Sequence, residues 1–359
     1  MTQTTAAVEV RGLAKHCGDV VALRDVNLTI AAGEYFVLLG PSGGGKTTLL
    51  RTIGGFHRAT KGKVLLHGQE VGHLPPDKRP TGMVFQSYAL FPHMSVMQNV
   101  GYGLKIAKLP KDQIREKVAA VLEMVGLQGF AERKPHELSG GQQQRVQLAR
   151  AMVLDRNILL LDEPLAVLDA QLRKDMCLEL KHLQEKVGIT FVHVTHNQEE
   201  AMTVADRIAL IADGDLVEVG PARDVYRTPK YRFTASFVGE NNVFDGVVKA
   251  VTGDDVSVEV AGKQLNVSRA GLMPCAGDNV ALSLRSELVR MGDAPVPGHS
   301  LQASYIEAVY LGLTTSHIAQ VDAHTQITSR VVDDSVDAPR HGARVHATWA
   351  PGDLRLLAS

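Results

Sequence analysis

The chain has 359 residues, which is more than one typical domain and predicts two. A hydrophobic fraction of 45%, a charged fraction of 21% and a net charge of −1 describe an ordinary globular protein and exclude a strongly basic nucleic-acid-binding surface. Cys17, Cys177 and Cys275 are widely separated, which favours reduced thiols over disulfides or a metal site. With no export signal and no apolar run of membrane-spanning length, we expect no direct membrane insertion.

The first two thirds of the chain alternate strand patterns with helix patterns. Predominantly apolar runs predict buried parallel strands at residues 35–39, 157–161 and 190–194. Helical spacing predicts a helix that stops at Gly126 and a second, over residues 172–187, that stops at Gly188. The apolar stripe of the first helix consists of Ile114, Val118, Val121, Leu122 and Val125. This alternation predicts an α/β domain with a mostly parallel sheet.

From about residue 238 the pattern changes to short β-type segments, and the composition becomes more acidic. Glycine and aspartate turn signals recur between these segments, and residues 292–299 predict a loop. The segments cover residues 243–248, 256–260, 280–284 and 348–357. We therefore expect an α/β domain over residues 1–237 and a small all-β barrel or sandwich over residues 238–359.

A glycine-rich segment follows the first apolar strand and opens a helix. Its residues are Gly40, Pro41, Ser42, Gly43, Gly44, Gly45, Lys46 and Thr47, with Thr48 next in the helix. The pattern is typical of a phosphate-binding loop, in which backbone N–H groups and a helix N-terminus converge on phosphate. We expect Lys46 to reach the β- and γ-phosphates of a nucleotide and the Thr47 hydroxyl to bind Mg²⁺.

An acidic pair closes the second apolar strand. Carboxylates at the C-terminal end of a strand face the crevice where ligands bind in such sheets. Asp162 is expected to hold Mg²⁺, and Glu163, one position further, to polarise an attacking water. Phosphoryl transfer depends on positioning and charge neutralisation, which suits this arrangement.

The segment Leu138-Ser139-Gly140-Gly141-Gln142 precedes a strong helix pattern. Ser139 at the N-cap and Gln142 three positions later have capping-box spacing. Capping does not require Gly140 and Gly141, which cost helix stability. Two glycines here would let a phosphate group approach the backbone closely. The alternative is that the segment is a purely structural turn.

These motifs stand in one order with Gln86 and His196, and residues 8–237 resemble the ATP-binding subunits of ABC transporters. The resemblance implies a homodimer that holds ATP between its subunits. The contacts to the partner's ATP would come from Ser139, Gly140, Gly141 and Gln142, with Asp169 in the loop that crosses between subunits.

The same resemblance assigns catalytic roles. Glu163 would be the base, His196 would contact the γ-phosphate, and Gln86 would follow Mg²⁺ and the attacking water. Taken singly, Gln86 and His196 also have ordinary structural explanations. The loop 86–91 would receive a helix of a membrane permease, or would pack internally.

The β-rich extension narrows the resemblance to importers of the maltose, ferric-iron and polyamine type. There the extension is an OB-like (TOBE) domain for dimerisation and regulation, with no role in nucleic-acid binding. The closing segment 349–357 is most similar to the polyamine, opine and phosphonate branch.

The resemblance implies an ATPase on the cytoplasmic face of the inner membrane. Permease subunits would hold it there peripherally, and an extracytoplasmic solute-binding protein would supply the solute. Polyamine is the expected solute, and phosphonate, opine and ferric iron are the solutes expected next.

Three positions depart from the family's pattern. Cys17 stands where an aromatic residue usually stacks on adenine, which predicts weaker nucleotide binding unless phosphate contacts dominate or His16 substitutes. Ala166 replaces a polar residue in the crossing loop, and Asn197 replaces the aspartate after the switch histidine. These changes leave open a regulatory protein with little ATPase activity. The motifs are also compatible with a soluble ABC-type ATPase that has no permease, and with the ATPase subunit of an exporter.

Overall fold

The computed structural model describes residues 6–86, 90–332 and 339–358. The chain forms two compact units, Met1–Ala222 and Arg223–Ser359. The second unit thus includes the short helices that precede the β-rich region, whereas the sequence places the domain boundary after them, at 237/238. That sequence-based boundary stays a prediction.

The first unit contains two sheets and the longer helices. Its strands are β1 (Ala6–Cys17), β2 (Val20–Ala31), β3 (Tyr35–Leu39), β4 (Lys61–Leu66), β5 (Gln69–Glu70), β6 (Thr81–Val84), β7 (Ile158–Asp162), β8 (Thr190–Thr195), β9 (Arg207–Ala212) and β10 (Asp215–Pro221). Its helices are α1 (Lys46–Ile53), α2 (Val96–Ile106), α3 (Lys111–Met124), α4 (Gly140–Met152), α5 (Ala170–Val187) and α6 (Gln198–Val204).

The larger sheet has the strand order β10-β9-β3-β8-β7-β6 and is parallel except for the β9–β10 pair. Every residue of β3, β7 and β8 is buried, which explains their predominantly apolar sequences. The smaller sheet, β2-β1-β4-β5, is antiparallel and shares one hydrophobic core with α1 and the larger sheet. Because β3, β6, β7 and β8 run parallel, the segments that follow them emerge at one edge.

The predicted helix stops are confirmed. Helix α3 ends before Gly126, which has φ +67°, and α5 ends at Gly188, which has φ +70°. Helix α5 begins earlier than the predicted residue 172, because the Asp169 side chain caps it by accepting a hydrogen bond from Leu172 N at 2.9 Å. None of the helices in the described ranges is long and apolar enough to cross a membrane.

The second unit begins with two short helices and continues as antiparallel sheet. Its helices are α7 (Ala222–Arg227) and α8 (Arg232–Phe237). Its strands are β11 (Asn241–Thr252), β12 (Asp255–Val260), β13 (Lys263–Ser268), β14 (Asn279–Arg285), β15 (Arg290–Gly292), β16 (Ser300–Tyr310), β17 (Thr315–Gln320), β18 (Gln326–Val331), β19 (Arg344–Thr348) and β20 (Arg355–Leu357). The sheets β13-β12-β11-β14-β20 and β15-β19-β16-β17-β18 share one core.

The predicted β segment at residues 348–357 is wrong as a single strand. Strand β19 ends at Thr348, and β20 starts at Arg355 in the other sheet. Between them Ala350 N donates to Asp353 Oδ2 at 3.1 Å, and Gly352 has φ +90°. This turn carries the chain from one sheet to the other across the shared core.

A buried arginine fixes the C-terminal end of α1. Arg79 is 2% exposed, and its Nη1 donates to the carbonyls of Thr52 and Ile53 at 2.8 and 2.7 Å. Its Nε donates to Leu74 O at 3.0 Å. The guanidinium pairs with helix-terminal carbonyls, of which Thr52 O also accepts from Gly55 N at 3.2 Å. Its charge suits the negative end of the helix dipole.

We expect Arg79→Met to lower the free energy of unfolding of the first unit by roughly 3 kcal/mol, because it leaves buried carbonyls unpaired. Arg24→Met is the matched control, since the Arg24 side chain forms an exposed ion pair with Asp215, and it should cost less than about 1 kcal/mol. Urea denaturation followed by circular dichroism measures both. Equal effects of the two substitutions would contradict the capping role of Arg79.

Candidate active site

The glycine-rich loop between β3 and α1 packs directly against the backbone of neighbouring strands. A Cβ added at Gly40 would lie 2.0 Å from Ile211 O, and one at Gly45 would lie 2.6 Å from Ala22 O. Gly43, by contrast, faces open space but has φ +80°. The loop therefore needs some glycines for close packing and another for its backbone conformation.

The loop leads into the N-terminus of α1, which no side chain caps. Helix α1 starts at Lys46, its N-cap is Gly45, and its first turn holds no acidic residue. Unpaired N–H groups and the positive end of the helix dipole together favour an anion. The segment from Gly40 to Thr48 thus has the geometry of a phosphate cradle.

Lys46 lies inside this cradle. It is 4% exposed, and its Nζ donates to Gly40 O at 2.9 Å and to Pro41 O at 2.8 Å. Burial lowers the pKa of Lys46, while the charges of Glu163 and Asp162 oppose that shift. The ammonium group is held in the loop by neutral carbonyls, and an anionic ligand would be a stronger partner.

Asp162 lies at the end of β7, next to α1. It is 3% exposed, its Oδ1 accepts from the Thr47 hydroxyl at 2.9 Å, and its Oδ2 accepts from Arg51 Nη2 at 3.2 Å. Sequence reasoning missed Arg51. Its position one helical turn after Thr47 was the available signal, because residues four apart share a helix face.

Glu163 lies between the other two predicted catalytic side chains. Gln86 Nε2 donates to Glu163 Oε2 at 3.0 Å, and His196 Nδ1 is 3.3 Å from Glu163 Oε1. Glu163 has φ +47°, which is strained for a residue with a side chain. Its backbone N–H bonds to Val194 O at 3.0 Å and holds it there. Three residues distant in sequence therefore meet through one carboxylate.

His196 follows β8, and Asn197 after it is the N-cap of α6. Glu200 N donates to Asn197 Oδ1 at 3.1 Å. Asparagine caps a helix as well as aspartate does. The departure from the family's pattern at Asn197 therefore preserves the local structure that positions His196.

The segment 138–142 forms the predicted capping box at the start of α4. Gln142 N donates to Ser139 Oγ at 3.4 Å, and Ser139 N donates to Gln142 Oε1 at 3.0 Å. A Cβ on Gly141 would lie 3.3 Å from Leu172, so part of the glycine requirement is packing. Among the described residues, no hydrogen bond joins this segment to residues 40–48. The structure does not bring these two motifs together within one chain.

The remaining predicted site residues lie in exposed or capping positions. Cys17 is exposed at the end of β1, where it pairs with Val20 across a tight turn. Asp169 is occupied as the N-cap of α5. In the loop 86–91, residues 87–89 lie outside the described residues. Phe91 beyond them contacts Tyr102 of α2, with a centroid distance of 4.8 Å.

We expect Gly40→Ala to lower the free energy of unfolding of the first unit by more than about 3 kcal/mol, because the added Cβ overlaps the β9 backbone. Gly43→Ala meets no atom and should cost only roughly 1–2 kcal/mol of backbone strain. Urea denaturation of both variants tests the difference. A Gly40→Ala variant as stable as Gly43→Ala would contradict the close-packing argument.

Family comparisons agree with the two-unit architecture. Residues 23–166 match the ABC transporter family, and residues 282–357 match the TOBE domain family. The spermidine/putrescine import ATP-binding protein PotA of Roseobacter denitrificans is 45% identical over 357 residues, which cover 98% of each chain. The protein of that name from Rubrobacter xylanophilus is 45% identical over 347 residues, covering 96% of this chain and 91% of its own.

Solved structures are also similar. The structure of cbiO1 from Clostridium perfringens, part of the ABC transporter complex cbiONQ, has a TM-score of 0.58 at 29% identity and covers 62% of this chain and 92% of its own. A dimeric ATP-binding cassette in a post-hydrolysis state, bound to ADP and Pi, has a TM-score of 0.53 at 35% identity. It covers 60% of this chain and 99% of its own.

Proposed function

The chain belongs to the ATP-binding subunits of ABC transporters that carry a TOBE domain, and from this premise we propose that it powers a polyamine importer. The observation that carries the proposal is full-length similarity, at 45% identity, to proteins named for spermidine and putrescine import. An intact hydrolytic site is supported by the short distances that join Glu163 to Gln86 and His196. The same distances disfavour a regulatory protein that has lost ATPase activity.

The residues present fit Mg²⁺ as well as ATP. The Thr47 hydroxyl and the buried Asp162 carboxylate are 2.9 Å apart, and hydroxyl, carboxylate and amide oxygens are the hard donors that Mg²⁺ prefers. In our proposal Thr47, Asp162 and Gln86 hold the ion, directly or through water. When bound there, the ion would supply charge neutralisation to the phosphate groups.

The phosphate chain of ATP lies along the loop from Gly40 to Thr48 in this proposal. Lys46 exchanges its two carbonyl partners for phosphate oxygens, which are stronger acceptors because they are charged. Glu163 takes a proton from water as the water oxygen bonds to the γ-phosphorus and the bond to ADP breaks. His196 contacts the γ-phosphate, and Gln86 orients the water.

A second copy of the chain completes the site. Ser139, Gly140, Gly141 and Gln142 would contact ATP held by the partner's loop, and Asp169 would lie near the crossing. Support comes from the lack of hydrogen bonds between residues 138–142 and 40–48 among the described residues, and from the dimeric state of a solved relative. Ser139 and Gln142 already cap α4, so the same side chains serve both purposes.

Permease subunits are the further partners in this proposal, and they hold the protein peripherally at the cytoplasmic face of the inner membrane. The family's transport function and the word import in the relatives' names support this. Closing and reopening of the homodimer would drive the permease, which receives solute from an extracytoplasmic binding protein. Residues 86–91 remain the proposed contact, and Phe91 is anchored by hydrogen bonds with Asn99.

We expect Glu163→Gln to bind ATP normally and to accumulate as a closed dimer, with hydrolysis reduced at least about 100-fold because the proton acceptor is gone. Lys46→Ala is the contrasting variant, since it should lose most nucleotide affinity. Single-turnover hydrolysis, ATP titration and analytical ultracentrifugation measure these effects. Hydrolysis by Glu163→Gln at the wild-type rate would remove Glu163 from the role of base.

The solute assignment is tested by copurifying the permease and adding its binding protein in lipid vesicles. Spermidine or putrescine should stimulate ATP hydrolysis and enter the vesicles, and Glu163→Gln should abolish both effects. If a phosphonate, an opine or ferric iron stimulates hydrolysis instead, the assigned solute changes but the assignment as a transporter ATPase stays. If no permease copurifies and no solute stimulates hydrolysis, the soluble ATPase becomes the better explanation.

A further inference from the structure

The loop that carries His196 is held by one buried carboxylate on the following helix. Glu200 lies on α6 and is 5% exposed. Its Oε2 accepts from the Thr195 hydroxyl at 2.7 Å, and that hydroxyl accepts from Asn197 N at 2.9 Å. Glu200 N in turn donates to Asn197 Oδ1 at 3.1 Å. Both residues that flank His196 are therefore tied to Glu200 by a closed ring of hydrogen bonds.

The other oxygen of the same carboxylate faces Arg173 on α5. Arg173 Nε lies 3.5 Å from Glu200 Oε1, which makes an ion pair without close hydrogen-bond geometry. Arg173 Nη2 donates to Leu168 O at 2.8 Å. Leu168 directly precedes Asp169, the N-cap of α5. Glu200 thus connects the histidine loop to the segment that follows Glu163.

Arg173 forms an ion pair with this buried carboxylate, and the charge of His196 also favours its ionised form. His193 Nε2 lies 3.8 Å from Glu200 Oε2, but burial lowers the pKa of His193 to about 3, so its ring is neutral. Burial raises the pKa of Glu200, while the Thr195 hydrogen bond and Arg173 oppose that shift. A buried carboxylate is costly unless it is paired and hydrogen-bonded. Its presence beside the switch histidine therefore calls for an explanation beyond core packing.

We propose that Glu200 is a positioning residue for ATP hydrolysis, which acts through Thr195 and Asn197 to hold His196 against Glu163, while Arg173 offsets its buried charge. This inference rests on the proposed function, since it assumes that His196 contacts the γ-phosphate. His196 is the more exposed partner, with 55% of its side chain exposed, and lies 3.3 Å from Glu163. An exposed side chain on a short loop needs its backbone fixed, because a displacement of about 1 Å lowers rates by about 100-fold.

The experiment compares ATP hydrolysis by Thr195→Val, Thr195→Ser, Glu200→Ala and the wild type. Thr195→Val removes the hydroxyl that bonds both Glu200 and Asn197 but keeps the β-branched shape needed in β8. We expect Thr195→Val and Glu200→Ala to lower kcat about 10- to 100-fold with KM for ATP within about twofold, because the phosphate loop is untouched. Thr195→Ser keeps the hydroxyl and should restore kcat to within about threefold.

Glu199→Ala is the matched control. Glu199 is the adjacent carboxylate on α6, and its side chain is exposed. Removing it should leave kcat and KM unchanged. Thermal unfolding of each variant shows whether the fold is retained. If Glu200→Ala does not fold, the kcat of Thr195→Val tests the inference by itself.

A double-mutant cycle separates positioning from general stabilisation. If Glu200 acts through His196, then Glu200→Ala or Thr195→Val added to His196→Ala should cost less than about a further twofold in kcat. The inference would be overturned if the kcat losses of the single variants multiplied in the double variants. It would also be overturned if folded Thr195→Val kept the wild-type kcat. Either result would leave the proposed function unaffected. Wild-type hydrolysis by His196→Ala would instead contradict the catalytic assignment itself, and the inference with it.

Discussion

Hydrogen bonding between β7 and β8 pairs Asp162 with Val194, and bonding between β8 and β3 pairs Thr195 with Leu39. This parallel register brings the phosphate loop, the acidic pair and the switch histidine to one edge of the sheet. All three strands are buried throughout, as is typical of the central strands of a parallel sheet. The geometry of the candidate site is therefore a consequence of strand order and register in the core.

Carboxylates at this edge each have their own partners. Asp162 accepts hydrogen bonds from Thr47 and Arg51, and Glu163 is hydrogen-bonded with Gln86 and His196. Glu200 accepts a hydrogen bond from Thr195 and forms an ion pair with Arg173. A site for a triphosphate must keep negative side chains near a negative ligand, and these pairings reduce the repulsion that would result. They also hold each oxygen in a defined direction, which preorganisation of the site requires.

Several residues with proposed functional roles also have complete local roles. Ser139 and Gln142 cap α4, Asp169 caps α5, and Asn197 caps α6. Helix capping explains why these residue types stand at these positions in a single chain. It also places each of them at a helix N-terminus, which is the positive end of the helix dipole. In the proposed dimer, Ser139 and Gln142 would serve both helix capping and intersubunit binding.

The sequence by itself determined the features that depend on short spacing: the phosphate loop after an apolar strand, the capping box at 139–142, and the helix stops at Gly126 and Gly188. Only the tertiary structure decided which distant side chains meet, such as Arg51 with Asp162, Arg79 with the end of α1, and Glu200 with Arg173. It also divided residues 348–357 between two sheets. The physical reason is that capping and turn hydrogen bonds span three or four residues, whereas these pairings depend on strand register and helix packing.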